Sequence, residues 1–270
     1  MEKHLICLDL DGTLLTDEKV ISPYTKAVLK ELQHQGHEIM IATGRPFRAS
    51  EMYYKELELT TPIVNFNGAF THHPQDDSWE AIHTTIDLQT VHQIVKACED
   101  FSFHNMLAEV KDHVFIHYHD EKLLSIFSEN SSSLQTGPIQ EILTENPTSL
   151  LIHADEEDVP SIRQHLSNVY AEVVDHRRWA APWHVIEVIS KGMNKFEGIK
   201  KVAMHYDIPH DRIIAFGDED NDLEMLTFAG TGLAMGNGTE EVKAVANEVI
   251  GSNEEDGIGN YLAERFSINI

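Results

Sequence analysis

The chain begins with an apolar run that ends in two closely spaced aspartates. Residues 5–8 are all apolar, and Asp9, Asp11 and Gly12 follow them. Side chains alternate along an extended segment, so Asp9 and Asp11 can point into one crevice beyond the strand's carboxyl end, where open α/β sheets bind ligands. The run therefore predicts a buried strand that delivers two carboxylates to the ligand-binding edge of a sheet.

Two clustered carboxylates call for a counter-ion. A hard divalent cation such as Mg²⁺ is the usual choice, because it prefers oxygen ligands. An aspartate beside such a cation can attack phosphorus as a nucleophile. The alternative is an acidic turn that merely ends a strand, because a short motif alone is seldom sufficient.

A second apolar run is followed by groups that suit a phosphate. After the run at residues 38–42 come Thr43, Gly44 and Arg45. They offer a hydroxyl, a glycine whose backbone can approach a ligand closely and a guanidinium suited to bidentate phosphate binding.

Two further segments carry charge in unusual places. Lys195 opens a helical pattern, although cations oppose the helix dipole at that end, and a bound anion would remove the conflict. Residues 213–217 form an apolar run that leads into a dense acidic loop containing Asp218, Asn221 and Asp222. So much repulsive charge in one turn is tolerable mainly when a cation lies within it.

Together the four segments resemble the motifs of the haloacid dehalogenase superfamily of phosphotransferases. Residues 9–13 resemble its nucleophile motif, Thr43 its second motif, Lys195 its third and residues 217–222 its fourth. The order and spacing resemble the Cof-type branch, whose large class IIB cap lies between the second and third motifs. Residues 65–69, with Asn67 and Gly68, and residues 234–238 add to the resemblance.

The pattern along the chain predicts an α/β fold with an inserted unit. Strands and helices alternate as a doubly wound parallel sheet requires, with a helix beginning near Ser22 and strands near 37–42 and 62–66. Residues 83–187 mix helical periodicity with short alternating strands, which indicates an α+β insertion. We expect a haloacid dehalogenase-like core at 1–82 and 188–270, and a cap domain at 83–187.

The resemblance implies a phosphomonoester hydrolase with two catalytic aspartates. Asp9 would attack phosphorus and form an aspartyl phosphate. Asp11 would protonate the leaving oxygen and then deprotonate the incoming water. The implied cofactor is Mg²⁺, held by Asp9, Asp11 (through its backbone carbonyl), Asp218 and Asp222.

The resemblance also implies residues that bind the substrate. The transferring phosphoryl group would be bound by Leu10, Thr43, Gly44, Lys195 and Asn221. From the chemistry of their side chains and backbone, we also expect Arg45, Asn67, Gly68, Arg178 and Trp183 to contact the rest of a small phosphorylated metabolite.

Two other segments leave alternatives open. The first contains the paired arginines Arg177 and Arg178 and the tryptophans Trp179 and Trp183. These side chains either bind a phosphorylated or aromatic substrate or pack within the insertion, because tryptophans are more often buried.

The second segment contains three histidines. His117 and His119 would share one face of a strand and, with His113, could chelate a transition metal. Ordinary surface histidines are the competing interpretation, because no further ligand completes a recognisable site.

Composition excludes several classes of partner. The formal net charge of −25 disfavours nucleic acid and anionic membranes, because both need a basic footprint. No apolar run of about 18 residues and no signal-like start is present, and two cysteines do not make a disulfide framework. We expect a cytoplasmic monomer or homodimer.

Other activities share this chemistry. A phosphomutase would return the phosphoryl group to its substrate, and a receiver-like signalling domain would store it on an aspartate. Asp11 and the long insertion favour turnover, because the insertion is longer than an ordinary connection between secondary-structure elements.

The resemblance to this branch implies sugar phosphates, pyridoxal phosphate, FMN or 5-amino-6-(5-phospho-D-ribitylamino)uracil as substrates. Residues 178–187 most resemble members that act on the ribitylaminouracil phosphate.

Overall fold

The computed structural model describes residues 2–127, 131–178 and 184–270. It divides into two compact units. The first unit contains Met1–Arg45, Ser50–Ile82 and Asn194–Ile270, and the second contains Pro46–Ala49 and His83–Met193. That they act as separate core and cap domains stays a prediction.

Most residues before His83 belong to the first unit. In order, its elements are β1 (Leu5–Leu8), α1 (Pro23–His34), β2 (Glu38–Ile41), α2 (Phe47–Glu56), β3 (Ile63–Asn65), β4 (Phe70–His72) and β5 (Ile82–His83). A short 3-10 turn, Phe66–Gly68, separates β3 from β4.

The second unit follows without interruption. Its elements are α3 (Leu88–Cys98), β6 (Phe103–Val110), β7 (His113–Ile116), α4 (Glu121–Phe127), β8 (Ser133–Thr136), α5 (Ile139–Ile142), β9 (Ser149–Ala154), α6 (Val159–Val169), β10 (Val174–Arg178) and β11 (Val185–Ser190). The chain then returns to the first unit with α7 (Lys195–His205), β12 (Ile213–Gly217), α8 (Leu223–Phe228), β13 (Thr231–Ala234), α9 (Glu240–Val245), β14 (Glu248–Val249) and α10 (Gly257–Phe266).

A parallel sheet forms the centre of the first unit. Its order is β14-β13-β12-β1-β2, and every neighbouring pair is parallel. All four residues of β1 are fully buried, as expected for a parallel strand covered on both faces. After β1 the chain continues to β2 on one side of the sheet, and after β12 it continues to β13 on the other side. The switch point of the sheet therefore lies between β1 and β12. The predicted α/β class with a parallel sheet is confirmed.

Helix α1 shows how the sequence sets the elements around this sheet. Pro23 occupies the first turn, where its missing N–H costs nothing, and Ser22 precedes it as the N-cap residue without a side-chain cap bond. Val28, Leu29 and Leu32 are buried on one face, and each contributes about 1.5–3 kcal/mol through burial. The helix ends before Gly36, whose φ of +89° suits glycine.

The second unit is built on its own six-stranded sheet. The order is β10-β11-β9-β6-β7-β8, antiparallel except for the parallel pair β7 and β8. Along β6, Met106 and Ala108 join one apolar cluster while Leu107 joins another, because successive side chains face opposite sides. Both faces of this sheet therefore carry an apolar core. Across the described ranges, no helix has the length and apolarity needed to cross a membrane.

His37 is a buried imidazole immediately before β2. The backbone N–H of His4 donates to its Nδ1 at 3.1 Å, and the ring of Phe266 lies 4.6 Å away between centroids. Burial, and then the charge of His4, lower the pKa of His37 from 6.5 to about 4. The folded protein therefore holds this ring neutral where the unfolded chain would protonate it.

This difference predicts a loss of stability in acid. As pH falls from 6.5 towards 4, the unfolded state binds the proton first, so the free energy of unfolding drops by up to about 1.4 kcal/mol per pH unit from this residue. His37→Asn retains an acceptor for the His4 amide and cannot titrate. Urea unfolding at pH 7 and pH 5 should show the smaller loss in the variant, and equal losses in both proteins would contradict the assignment.

Candidate active site

A lysine ammonium group is buried between two carboxylates at the centre of the site. Lys195 Nζ donates to Asp9 Oδ1 and to Asp222 Oδ1, each at 2.6 Å. Lys195 and Asp222 are fully buried, and Asp9 is 5% exposed. Asp9 follows β1, Asp222 lies in the loop after β12, and Lys195 is the first residue of α7. Three segments far apart in sequence thus meet at one ion-pair network.

The start of α7 is fixed by its own cap and by close packing. Asn194 is the N-cap residue, and its side-chain oxygen accepts from the backbone N–H of Glu197 at 3.2 Å. Gly68 has a φ of +98°, and a Cβ there would lie 2.0 Å from the Asn194 carbonyl oxygen. Only glycine lets the turn after β3 approach the helix start this closely.

The loop after β12 folds around the Asp222 carboxylate. Asp222 Oδ2 accepts from the backbone N–H groups of Asp218 and Glu219 at 2.9 and 3.1 Å. Thr13 Oγ1 donates to Asp218 Oδ1 at 2.7 Å, which joins this loop to the segment after β1. A Cβ on Gly12, whose φ is +77°, would lie 2.2 Å from Asp218 Oδ2.

The crowded charges shift the pKa values of the group. Burial raises the pKa of Asp9 well above its ordinary value, although Lys195 opposes this. Burial and the charge of Asp222 raise the pKa of Asp218 to about 7. Burial lowers the pKa of Lys195, but the charges of Asp222 and Asp9 outweigh it and raise the pKa. The lysine therefore stays protonated, and the acids resist ionisation unless more positive charge is present.

The three buried carboxylates can hold a metal ion. Asp9, Asp218 and Asp222 each offer one oxygen, and these oxygens lie within 4.8 Å of one another. Within the described ranges this is the one such group of histidine, cysteine or acidic ligands. Three carboxylates face one ammonium group, and an all-oxygen donor set fits a hard divalent cation.

Asp11 has different partners from Asp9. Arg45 donates to both of its oxygens, from Nε and from one terminal nitrogen, each at 2.6 Å. Lys19 Nζ donates to Asp11 Oδ1 at 2.9 Å. Burial raises the pKa of Asp11, but Arg45 and Lys19 outweigh it and bring the pKa to about 2. The Asp11 side chain is thus a charged carboxylate, and it lies outside the three-acid group.

Two of the predicted phosphate-binding residues, Thr43 and Gly44, follow β2 and lie close to Asn67, which follows β3. The Asn67 N–H donates to the Thr43 carbonyl at 3.1 Å, and Asn221 Nδ2 donates to Asn67 Oδ1 at 3.0 Å. A Cβ on Gly44 would lie 3.1 Å from the Asn67 side chain, so the backbone and this amide are close. The Leu10 carbonyl accepts from the Leu15 N–H at 2.9 Å, which holds the backbone in a turn after β1.

The predicted residues of the insertion do not form one described group. In the second unit, Arg178 donates to Glu156 at 3.0 Å and contacts His184 Nδ1 at 3.1 Å. Trp179 and Trp183 lie outside the described residues. The predictions for these residues therefore stay predictions.

The three histidines singled out in the sequence have three separate partners. His113 contacts Ser133, His117 Nδ1 accepts from the Ile139 N–H, and His119 contacts Glu121. Of the two alternatives that the sequence left open, the metal site shared by these histidines is not formed in the described structure.

Sequence reasoning missed two contributors to the site. Thr13 lies in the first motif, and its position two residues after Asp11 was the only signal for its bond to Asp218. Lys19 gave no signal, because it reaches Asp11 from a turn in which its φ is +61°. Which group a long side chain contacts depends on the conformation of the folded loop, and the local sequence pattern does not show it.

Comparison with known proteins places the chain among characterised relatives. A model of the haloacid dehalogenase-like hydrolase family matches residues 6–262. The 5-amino-6-(5-phospho-D-ribitylamino)uracil phosphatase YitU of Bacillus subtilis (strain 168) is 58% identical over 265 residues, covering 98% of each chain.

Solved structures share the fold. A haloacid dehalogenase-like hydrolase from Bacteroides thetaiotaomicron superposes with a TM-score of 0.84 at 24% identity, covering 98% of this chain and 100% of that one. The subclass IIB sugar phosphatase BT4131 superposes with a TM-score of 0.81 at 26% identity, with the same coverage.

The acidic group predicts a divalent-cation site that one substitution should weaken. Asp218→Asn removes one charged ligand, so we expect the affinity for Mg²⁺ to fall by about tenfold or more, or 1.4 kcal/mol. Asp220→Asn makes the same charge change at an exposed position of the same loop and should leave the affinity nearly unchanged. Isothermal titration of both variants tests this, and equal affinities would contradict the assignment.

Proposed function

Because this chain belongs to the haloacid dehalogenase-like hydrolases, we propose that it hydrolyses the phosphate ester of 5-amino-6-(5-phospho-D-ribitylamino)uracil. The predicted family and the predicted phosphatase activity are confirmed, and the substrate is a phosphorylated small metabolite. The observation that carries the choice of substrate is the 58% identity to YitU, which extends over 98% of both proteins.

Asp9 is the proposed nucleophile. Its Oδ1 accepts the Lys195 hydrogen bond, while Oδ2 accepts none from the described residues, so Oδ2 retains its lone pairs for attack. Attack of this oxygen on phosphorus breaks the ester bond and forms an aspartyl phosphate. Burial restricts the carboxylate to one orientation, which suits in-line displacement.

The neighbouring donors are proposed to bind the phosphoryl oxygens. Lys195 lies 2.6 Å from the nucleophile and supplies a fixed positive charge. Thr43 is 1% exposed, and its oxygen accepts from the Arg45 N–H at 3.1 Å, so its own hydroxyl hydrogen is left for a ligand. With the backbone N–H groups of Leu10 and Gly44, these donors would stabilise charge that spreads over three oxygens in the transition state.

Asp11 is the proposed general acid and base. Its present partners keep it charged, so it must leave the Arg45 fork and take up a proton from solvent before it can deliver that proton to the ester oxygen. It would then take a proton from the water that hydrolyses the aspartyl phosphate. Arg45 would in turn be released towards the substrate, as its predicted role requires. Asn67 and Gly68 lie beside Thr43 and Asn194, respectively, and remain proposed substrate contacts.

The proposed cofactor is Mg²⁺, bound by Asp9, Asp218, Asp222 and the Asp11 carbonyl. The three-carboxylate group fits it, because all of its donors are oxygens. When bound, it would supply positive charge to the phosphoryl oxygens. Asn221 Oδ1 is buried and has no hydrogen-bond partner in the described structure, which suits an acceptor for a bound water.

Substitution of each catalytic aspartate should have a distinct effect. Asp9→Asn should abolish turnover and leave the fold intact, because no covalent intermediate can form. Asp11→Asn should slow turnover by about 10² to 10⁴, the usual contribution of general acid and base catalysis. Steady-state phosphate release with circular dichroism as the folding control measures both. Wild-type activity in Asp9→Asn would rule out the mechanism.

Free phosphate release is the experiment that tests the function. We expect Mg²⁺-dependent release from the ribitylaminouracil phosphate, with kcat/KM above the values for pyridoxal phosphate and FMN. A phosphomutase would return the phosphoryl group without releasing phosphate, and a receiver-like domain would release no more than one equivalent before stopping. Equal kcat/KM on all esters would contradict the substrate but not the phosphatase activity.

A further inference from the structure

Strand β6 of the second unit contains a bulge at His104. In the pairing of β6 with β9, Phe103 lies opposite Ala154 and Asn105 lies opposite His153. His104 is therefore an extra residue without a partner of its own on β9. A bulge of this kind changes the direction of a side chain relative to the regular alternation of the strand.

The side chain of Asn105 holds the bulge in place. Its Nδ2 donates to the Tyr118 carbonyl at 2.9 Å, and its Oδ1 accepts from the Tyr118 N–H at 3.0 Å. The same oxygen accepts from the Met106 N–H at 2.9 Å. Asn105 is 1% exposed, and its bonds fix the residue next to the bulge to the chain that follows β7. The irregularity is thus encoded in the sequence.

The bulge brings two imidazoles together. The ring centroids of His104 and His153 lie 4.9 Å apart. His104 Nε2 lies 2.9 Å from Asp155 Oδ1, and an ionised carboxylate can only accept, so Nε2 carries the hydrogen. Nδ1 of His104 is then left with its lone pair. His153 Nδ1 is buried and has no hydrogen-bond partner among the described residues.

A carboxylate bonded to the distal nitrogen of a histidine is the usual support for a metal-binding imidazole. Neutral imidazole is the form of the side chain that binds a metal ion. The His104 side chain is 48% exposed and that of Asp155 is 56% exposed, so an ion can reach them from solvent.

We propose that His104 and His153 form a binding site for a divalent transition-metal ion, with Asp155 orienting His104. Cu²⁺, Ni²⁺ and Zn²⁺ bind well to imidazole nitrogens, whereas Mg²⁺ binds preferentially to oxygen ligands. The pair therefore selects a different class of ion from the three-carboxylate group of the first unit. The remaining coordination positions would be filled by water.

Copper is the most sensitive probe, because Cu²⁺ binds such ligands most strongly in the divalent series. The full chain, without a polyhistidine tag, is titrated with Cu²⁺ in the presence of excess Mg²⁺, which occupies the acidic group. We expect an electron paramagnetic resonance spectrum with two imidazole nitrogens. His104→Gln and His153→Gln should each remove that signature and weaken binding by about 10²-fold, because the chelate is lost.

Two further variants separate ligand, positioning and background effects. Asp155→Asn should retain both nitrogens and weaken binding by about 10- to 100-fold, as loss of an orienting carboxylate does. His113→Gln removes a histidine of the same unit that contacts Ser133, and it should change nothing.

Copper binding by His104→Gln and His153→Gln that equals wild type would overturn the proposal, as would an equal loss in His113→Gln. Thermal unfolding of each variant checks that it folds. If His153→Gln fails to fold, the more exposed His104→Gln decides the result.

Discussion

The Lys195 ammonium group holds the site together, because it bonds Asp9 and Asp222 in a region that excludes water. Breaking a buried ion pair by removing one partner typically costs about 3–5 kcal/mol. Lys195 therefore links the end of β1, the loop after β12 and the start of α7. The same contact fixes the geometry proposed for chemistry, so the fold and the site depend on one interaction.

That interaction does not balance the local charge. Burial raises the pKa values of Asp9 and Asp218, and the charge of Asp222 raises them further. One lysine faces three carboxylates. The chain as a whole carries −25, so distant residues give no relief. A bound divalent cation would favour ionisation of the three acids and, together with Lys195, would balance their charge. An anionic substrate would then meet a locally neutral site inside an acidic protein. Asp11, which is paired with both Arg45 and Lys19, belongs to a second group, and that group has one excess positive charge.

Much of this arrangement follows from sequence, because parallel strands bring their carboxyl ends to one edge of a sheet. That rule alone places Asp9 and Asp218 together, and the motif order adds Lys195. The pairing of Asp11 with Arg45 and Lys19 cannot be predicted from the sequence, because the conformation of the folded loops determines which groups these long side chains reach. The His104 bulge was equally invisible, because a single extra residue in one strand leaves no periodic signal. A metal site shared by His113, His117 and His119 was one of two alternatives that the sequence left open. It is not formed in the described residues, where each ring has a separate partner.

The central claim is that Asp9 carries the phosphoryl group in a covalent intermediate and is held in place by Lys195. Borohydride reduces acyl phosphates and leaves carboxylates intact, so quenching a reacting mixture with it marks the phosphorylated residue. Peptide mass spectrometry should locate the reduction at Asp9, and only when substrate and Mg²⁺ are both present. Reduction at Asp11, Asp218 or Asp222, or continued turnover with no reduced residue, would contradict the account.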